Sequence, residues 1–191
     1  MSADSFLVRL VAALEAVGIP YMLTGSYASS LYGVPRSTQD IDLVIDASVG
    51  KLRRFVRSLP ESTYYVNIAS AIDALDRRSQ FNVIDLDSGW KVDLIVRKER
   101  PFSVIEFGRR SEETIGSQLM WVASPEDVIL AKLEWAKSAG SGRQIEDAAG
   151  ILKVRSDLDE QYIAHWVREL HIENEWQEAN KLAGREPSDA V

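Results

Sequence analysis

Tyr21-Met22-Leu23-Thr24-Gly25-Ser26, followed after thirteen residues by Asp40-Ile41-Asp42-Leu43-Val44-Ile45, is the stretch from which the fold is read. The first run is short, apolar and closed by small residues. It reads as a strand that turns at Gly25-Ser26 into a helix, Tyr27 to Tyr32, which Gly33 and Pro35 end. The second run is a strand rich in β-branched residues. Residues two apart on a strand share a face, so Asp40 and Asp42 project together while Ile41, Leu43 and Ile45 point into the core. Two neighbouring carboxylates repel and are costly to desolvate on a half-buried strand. A hard cation is the natural compensation. The D-x-D pair taken alone is equally an exposed edge-strand feature.

Working outward, Lys91-Val92-Asp93-Leu94-Ile95 is a further strand with one acid among apolar residues, which suits a strand beside the first pair. Three carboxylates on adjacent strands can hold two metal ions about 3.5–4 Å apart, stabilising attacking and leaving oxygens in phosphoryl or nucleotidyl transfer. Gly25-Ser26, at a strand-to-helix turn, offers backbone N–H groups, a hydroxyl and a positive dipole end to phosphate.

The spacing predicts an opening amphipathic helix through Phe6, Leu7, Leu10, Val11 and Leu14, capped by Asp4 or Ser5. A helix through Val49, Leu52, Val56 and Leu59 stops at Pro60, and a short one follows through Ile68, Ala71, Ile72 and Leu75. Phe81 to Leu86 and Trp90 to Val96 are strands joined by Asp87-Ser88-Gly89, a hairpin signal, so strand directions are mixed. Phe102 to Arg110 is ambiguous, and Leu119 to Val122 reads as an edge strand. Ser124-Pro125-Glu126-Asp127 then starts a run of helices: Val128 to Lys137, Gln144 to Val154, Glu160 to Leu170 and Glu173 to Leu182. Trp135, Trp166 and Trp176 are expected to pack between helices, and Trp90 is a candidate to line a pocket beside Asp93.

Composition narrows the chemistry. The 191 residues include no Cys and two His, His165 and His171. Thiol nucleophiles, disulfides and thiolate metal sites are excluded, and any metal site must be built from oxygen ligands, which suit Mg2+ or Mn2+. The two His, six apart near a helix end, read as surface residues. Of the net charge of −7, all but one unit comes from residues 157–191, where nine acids face three bases. Lys51, Arg53, Arg54 and Arg57, and separately Arg97, Lys98 and Arg100, are basic clusters that read as solvated surface or as contacts to a polyanion. No basic leader precedes the first apolar stretch. The charge-free run from Ala16 to Pro35 is broken by Gly and Pro, so the expectation is a cytoplasmic protein without a membrane partner.

Leu23-Thr24-Gly25-Ser26, then Asp40-Ile41-Asp42, then Asp93, resembles the nucleotidyltransferase superfamily that includes DNA polymerase β, whose pattern is an apolar strand, G-[GS], D-x-[DE] and a later Asp. Arg36-Ser37-Thr38-Gln39-Asp40-Ile41-Asp42 is similar to the R-x-T-x-D-[IL]-D segment of the AbiEii-like toxins. Lys132-Leu133-Glu134-Trp135-Ala136 and Arg143-Gln144-Ile145-Glu146-Asp147 are similar to that group's K-x-x-A and R-x-x-x-D helical motifs. Many such toxins are longer, and this chain looks most like short members of the group. The resemblance implies an α+β fold, with a mixed sheet flanked by helices as a core over 1–122, a helical subdomain over 123–191, and an active site where they meet.

It also implies roles. Asp40, Asp42 and Asp93 would hold Mg2+ or Mn2+, and Asp93 would take the proton of an attacking hydroxyl. Gly25, Ser26, Arg36, Thr38 and Lys132 would bind a nucleoside triphosphate, with Asp147 orienting Lys132 or the base. The implied reaction moves a nucleoside monophosphate to tRNA or a protein hydroxyl, in a system with a cognate antitoxin. An aminoglycoside-type adenylyltransferase and a non-catalytic nucleotide-binding regulatory module are the alternatives. A haloacid-dehalogenase-like phosphatase places its acids at the end of the strand, not within it.

Overall fold

The computed structural model describes residues 3–35 and 40–185. These form two compact units, one of residues 3–24 and 40–122, the other of residues 25–35 and 123–185.

The first unit is built on β1 (Tyr21–Thr24), β2 (Asp40–Ile45), β3 (Tyr64–Tyr65), β4 (Gln80–Asp85), β5 (Lys91–Val96), β6 (Ser111–Ile115) and β7 (Gln118–Val122). Over the described residues these make one sheet in the order β3-β4-β5-β2-β1-β7-β6. The sheet is mixed: β2 runs parallel to β5, and β1 parallel to β7, while the other neighbours are antiparallel. Leu119 to Val122, expected at an edge, lies inside it. The described edges are β3 and β6, too short and too polar (Ser-Glu-Glu-Thr-Ile) respectively to announce themselves as strands.

Alternation along the central strands separates two faces. Ile41, Leu43, Ile45, Val92, Leu94 and Val96 are fully buried on one. Asp85 of β4 shares that face with Phe81 and Val83 and is also fully buried. Arg9 on α1 (Ala3–Ala16) reaches it at 2.5 Å and donates to the Tyr64 hydroxyl at 2.9 Å. The other Asp85 oxygen accepts from the backbone N–H groups of Asp87 and Ser88, so one carboxylate ties a helix to the sheet and caps the expected hairpin turn. α1 begins before the expected Asp4 or Ser5 cap.

The remaining helices of this unit are α3 (Val49–Ser58), α4 (Ile68–Arg77) and α5 (Pro101–Arg109), the last resolving the ambiguous stretch. The basic clusters are in part internally satisfied. Lys51 donates to the Gly18 carbonyl at 2.5 Å, Arg97 pairs with Asp46 at 3.0 Å, and Arg100 donates to the Ser103 hydroxyl at 3.0 Å.

The second unit holds α2 (Gly25–Tyr32), α6 (Pro125–Ala139), α7 (Gly142–Val154), α8 (Glu160–Leu170) and α9 (Glu173–Ala183). α2 packs on α6 and α7, and α7 on α9. Ser124 caps α6 as its sequence predicts, accepting from the Asp127 N–H at 3.2 Å, with Pro125 in the first turn. Asp127 is nonetheless turned inward at 1% exposure, and its carboxylate accepts from the Ser124 hydroxyl (2.7 Å) and the Tyr162 hydroxyl (2.6 Å). Trp166 and Trp176 are buried as expected. Trp135 is not: at 59% exposure it lies off the arc of α6 that buries Lys132, Leu133 and Ala136. No helix of the described residues is long and apolar enough to cross a membrane.

Candidate active site

Each carboxylate of the D-x-D…D set lies on a central strand of the first unit. The parallel register of β2 and β5 sets Asp42 beside Asp93 and Asp40 beside Lys91. Antiparallel pairing extends the Asp42–Asp93 row to Thr24 on β1 and Asn82 on β4. All of these residues share the face opposite the buried Ile41, Leu43 and Leu94, because paired positions of a ladder point the same way.

Exposure grades across the group, the Asp40 side chain being 62% exposed and that of Asp93 only 11%. Oδ1 of Asp93 is buried and has no hydrogen-bond partner among the described residues, while Oδ2 accepts from the Lys91 ammonium at 3.2 Å. The same ammonium stands 3.2 Å from Asp40 Oδ1. Partial burial pulls the Lys91 pKa down, but the hydrogen bonds and charges of Asp40 and Asp93 outweigh it and leave the group above its ordinary value. Lys91 escaped the sequence reading as a functional residue. Its signal was there, a lysine two positions before Asp93 and therefore on the same face.

Two features of the group suit a hard divalent ion. Its donors are all oxygen, and a buried carboxylate oxygen without a partner is costly unless a ligand completes it. Among the described residues no three His, Asp or Glu side chains close on one point, and a lysine ammonium stands between two of these acids.

A second polar group sits within the other unit. Gly25 has φ of 66°, a left-handed conformation that favours glycine, where α2 begins. Lys132 on α6 is buried at 5% exposure, unlike a helix lysine with its head in water. Its ammonium meets the Ser26 hydroxyl at 3.1 Å and Asp147 Oδ2 on α7 at 2.7 Å. The structure therefore joins Ser26 to Lys132 and Asp147, and of the two partners the resemblance offered for Asp147, Lys132 or the base, it shows contact with Lys132. Arg36 and Thr38 lie outside the described residues. Trp90 is half-buried just before β5, and His165 and His171 are exposed.

This topology is also found in known structures. The fold is that of the nucleotidyltransferases. An antigenic nucleotidyltransferase-like protein from Paracoccidioides brasiliensis superposes with a TM-score of 0.59 at 20% identity, over 100% of this chain and 98% of that one. ANT(2")-Ia in complex with adenylyl-2"-tobramycin gives 0.53 at 17% identity, over 96% and 98%. The lincosamide antibiotic adenylyltransferase LnuA, lincomycin-bound, gives 0.50 at 12% identity, over 79% and 98%. No protein-family model and no curated protein matches the chain. In this mixed sheet the D-x-D strand and the later Asp strand are direct neighbours.

Proposed function

We propose that this chain is a nucleotidyltransferase that moves a nucleoside monophosphate from a nucleoside triphosphate to a hydroxyl acceptor. The observation that carries the reading is the alignment of Asp40, Asp42 and Asp93 on one face of β2 and β5, with a buried Asp93 oxygen that lacks a partner among the described residues. The nucleotidyltransferase fold supports it.

Asp40, Asp42 and Asp93 are the residues to hold Mg2+ or Mn2+. Such an ion, when bound, neutralises charge on the phosphate oxygens and on the leaving pyrophosphate. Asp93 is proposed to accept the proton of the attacking hydroxyl as its oxygen bonds to the α-phosphorus. The bond from that phosphorus to the bridging oxygen breaks, and pyrophosphate leaves with the electron pair. Gly25, Ser26, Arg36, Thr38 and Lys132 are proposed to bind the nucleotide. Asp147, at 2.7 Å from Lys132, holds that ammonium in place.

For the acceptor, the AbiEii-like motifs favour tRNA or a protein hydroxyl, in a system with a cognate antitoxin. The adenylylated tobramycin named with ANT(2")-Ia and the lincomycin named with LnuA favour a second acceptor, a drug hydroxyl. The acidic residues 157–191 suit a cationic drug.

The test is transfer of label from each of the four α-labelled nucleoside triphosphates, with Mg2+ or Mn2+, into total tRNA, the protein itself and an antibiotic panel. Label is expected in one acceptor class, reduced about a hundredfold or more in Asp42→Asn, which loses a metal charge without changing shape. Undiminished transfer by a folded Asp42→Asn protein would overturn the mechanism.

A further inference from the structure

The ammonium of Lys91 is the one described cation within 4 Å of both Asp40 and Asp93, at 3.2 Å from an oxygen of each. The register makes this placement a property of the strands, since Lys91 stands directly beside Asp40 and two residues before Asp93 on the same face. Asp40, Asp42 and Asp93 bring three carboxylates to that face, and the Lys91 ammonium stands between two of them. The Lys91 side chain is 33% exposed, so its flexible four-carbon stem has an open route to solvent, whereas the Asp93 side chain, at 11%, is held in the sheet. A divalent ion placed among the same oxygens attracts each of them about twice as strongly as an ammonium at equal distance.

We infer that Lys91 is a resident cation of the carboxylate site: in the metal-free chain it bridges Asp40 and Asp93, and a divalent ion must displace it to bind. The inference rests on reading these carboxylates as metal ligands. Lys91 is then a positioning residue that keeps the acids together without metal and lowers the apparent affinity for the ion. Selectivity follows as well, because a monovalent ion gains nothing by replacing a lysine that already carries the same charge.

The experiment titrates Mn2+ alone into the full chain by calorimetry, for wild type, Lys91→Met, Lys91→Gln, Lys91→Arg and Asp42→Asn, with thermal unfolding followed in chelator and in Mn2+. Lys91→Met and Lys91→Gln are expected to bind Mn2+ about tenfold or more tightly than wild type. They should melt earlier in chelator and gain more from Mn2+ than wild type does. Lys91→Arg, which keeps the charge, should stay near wild type. A neutral variant that folds only when Mn2+ is present would support the inference equally. Affinity unchanged or weakened in the neutral variants, with Mn2+ binding still lost in Asp42→Asn, would overturn the role of Lys91 and leave the metal reading standing. No Mn2+ binding by any of the proteins would overturn both.

Discussion

Lys132 and Asp147 form an ion pair of 2.7 Å with side chains only 5% and 6% exposed. At that burial, desolvation consumes much of the Coulombic gain, so the pair is weak evidence of a stability function, and removing one partner leaves the other charge in a poor environment. Lys132→Met is expected to lower unfolding free energy by about 3–5 kcal/mol, and Lys132→Met combined with Asp147→Asn to restore a large part of it. Urea unfolding of the two single variants and the double variant measures this. Equal losses in Lys132→Met and the double variant would mean that the pair is not coupled. The motif resemblance offered Asp147 as a residue to orient either Lys132 or the base, and the structure sets it against Lys132. Packing of α6 on α7 brings the two together.

At the level of elements, a close backbone approach lies just past the end of α2. A Cβ built on Gly33 would stand 2.7 Å from the Ile151 amide nitrogen and 2.8 Å from the Gly150 carbonyl carbon, both backbone atoms of α7. Backbone cannot step aside as a flexible side chain can, so Gly33→Ala must push α2 from α7. A loss of about 1–3 kcal/mol is expected, read as a lower denaturant midpoint with unchanged slope. Gly150→Ala serves as the comparison, because its added carbon would meet Val34 at 3.5 Å or more, an ordinary contact. If Gly33→Ala costs no more than Gly150→Ala, the close approach is not what holds α2. The sequence marks Gly33 only as a helix stop. That reading was correct locally and missed the neighbour 117 residues away.

Across the whole molecule, global stability should carry a signature at alkaline pH. Tyr21 on β1 is 1% exposed, and its hydroxyl donates to Glu15 Oε1 at 3.2 Å. Burial, with the charges of Glu15 and Glu112 against the opposing Trp121 N–H, pushes its pKa from 10.0 up to about 12. The folded chain therefore keeps a proton that the unfolded chain gives up first. Stability from this group is fully present below pH 10 and is lost as pH rises from 10 toward 12, by up to ~2–3 kcal/mol. Tyr21→Phe should unfold with a shallower dependence on pH over that interval, measured as denaturant midpoints at several pH values. Identical slopes for the two proteins would remove Tyr21 from the account.

The sequence by itself determined what depends on neighbours along the chain. Period-two alternation set Asp40 and Asp42 on one face and Ile41, Leu43 and Ile45 on the other, and Ser124-Pro125 started α6, because these features follow from backbone geometry and caps within a few residues. The tertiary structure decided what depends on which strands and helices become neighbours. It set β5 beside β2, so that Asp93 joins the first two acids and Lys91 comes to stand against Asp40. It also buried Lys132 against Asp147 and left Trp135 in solvent. Local periodicity tells a residue which way to point. What it meets there is chosen by the packing of segments distant in sequence, where burial is won by the whole fold at once.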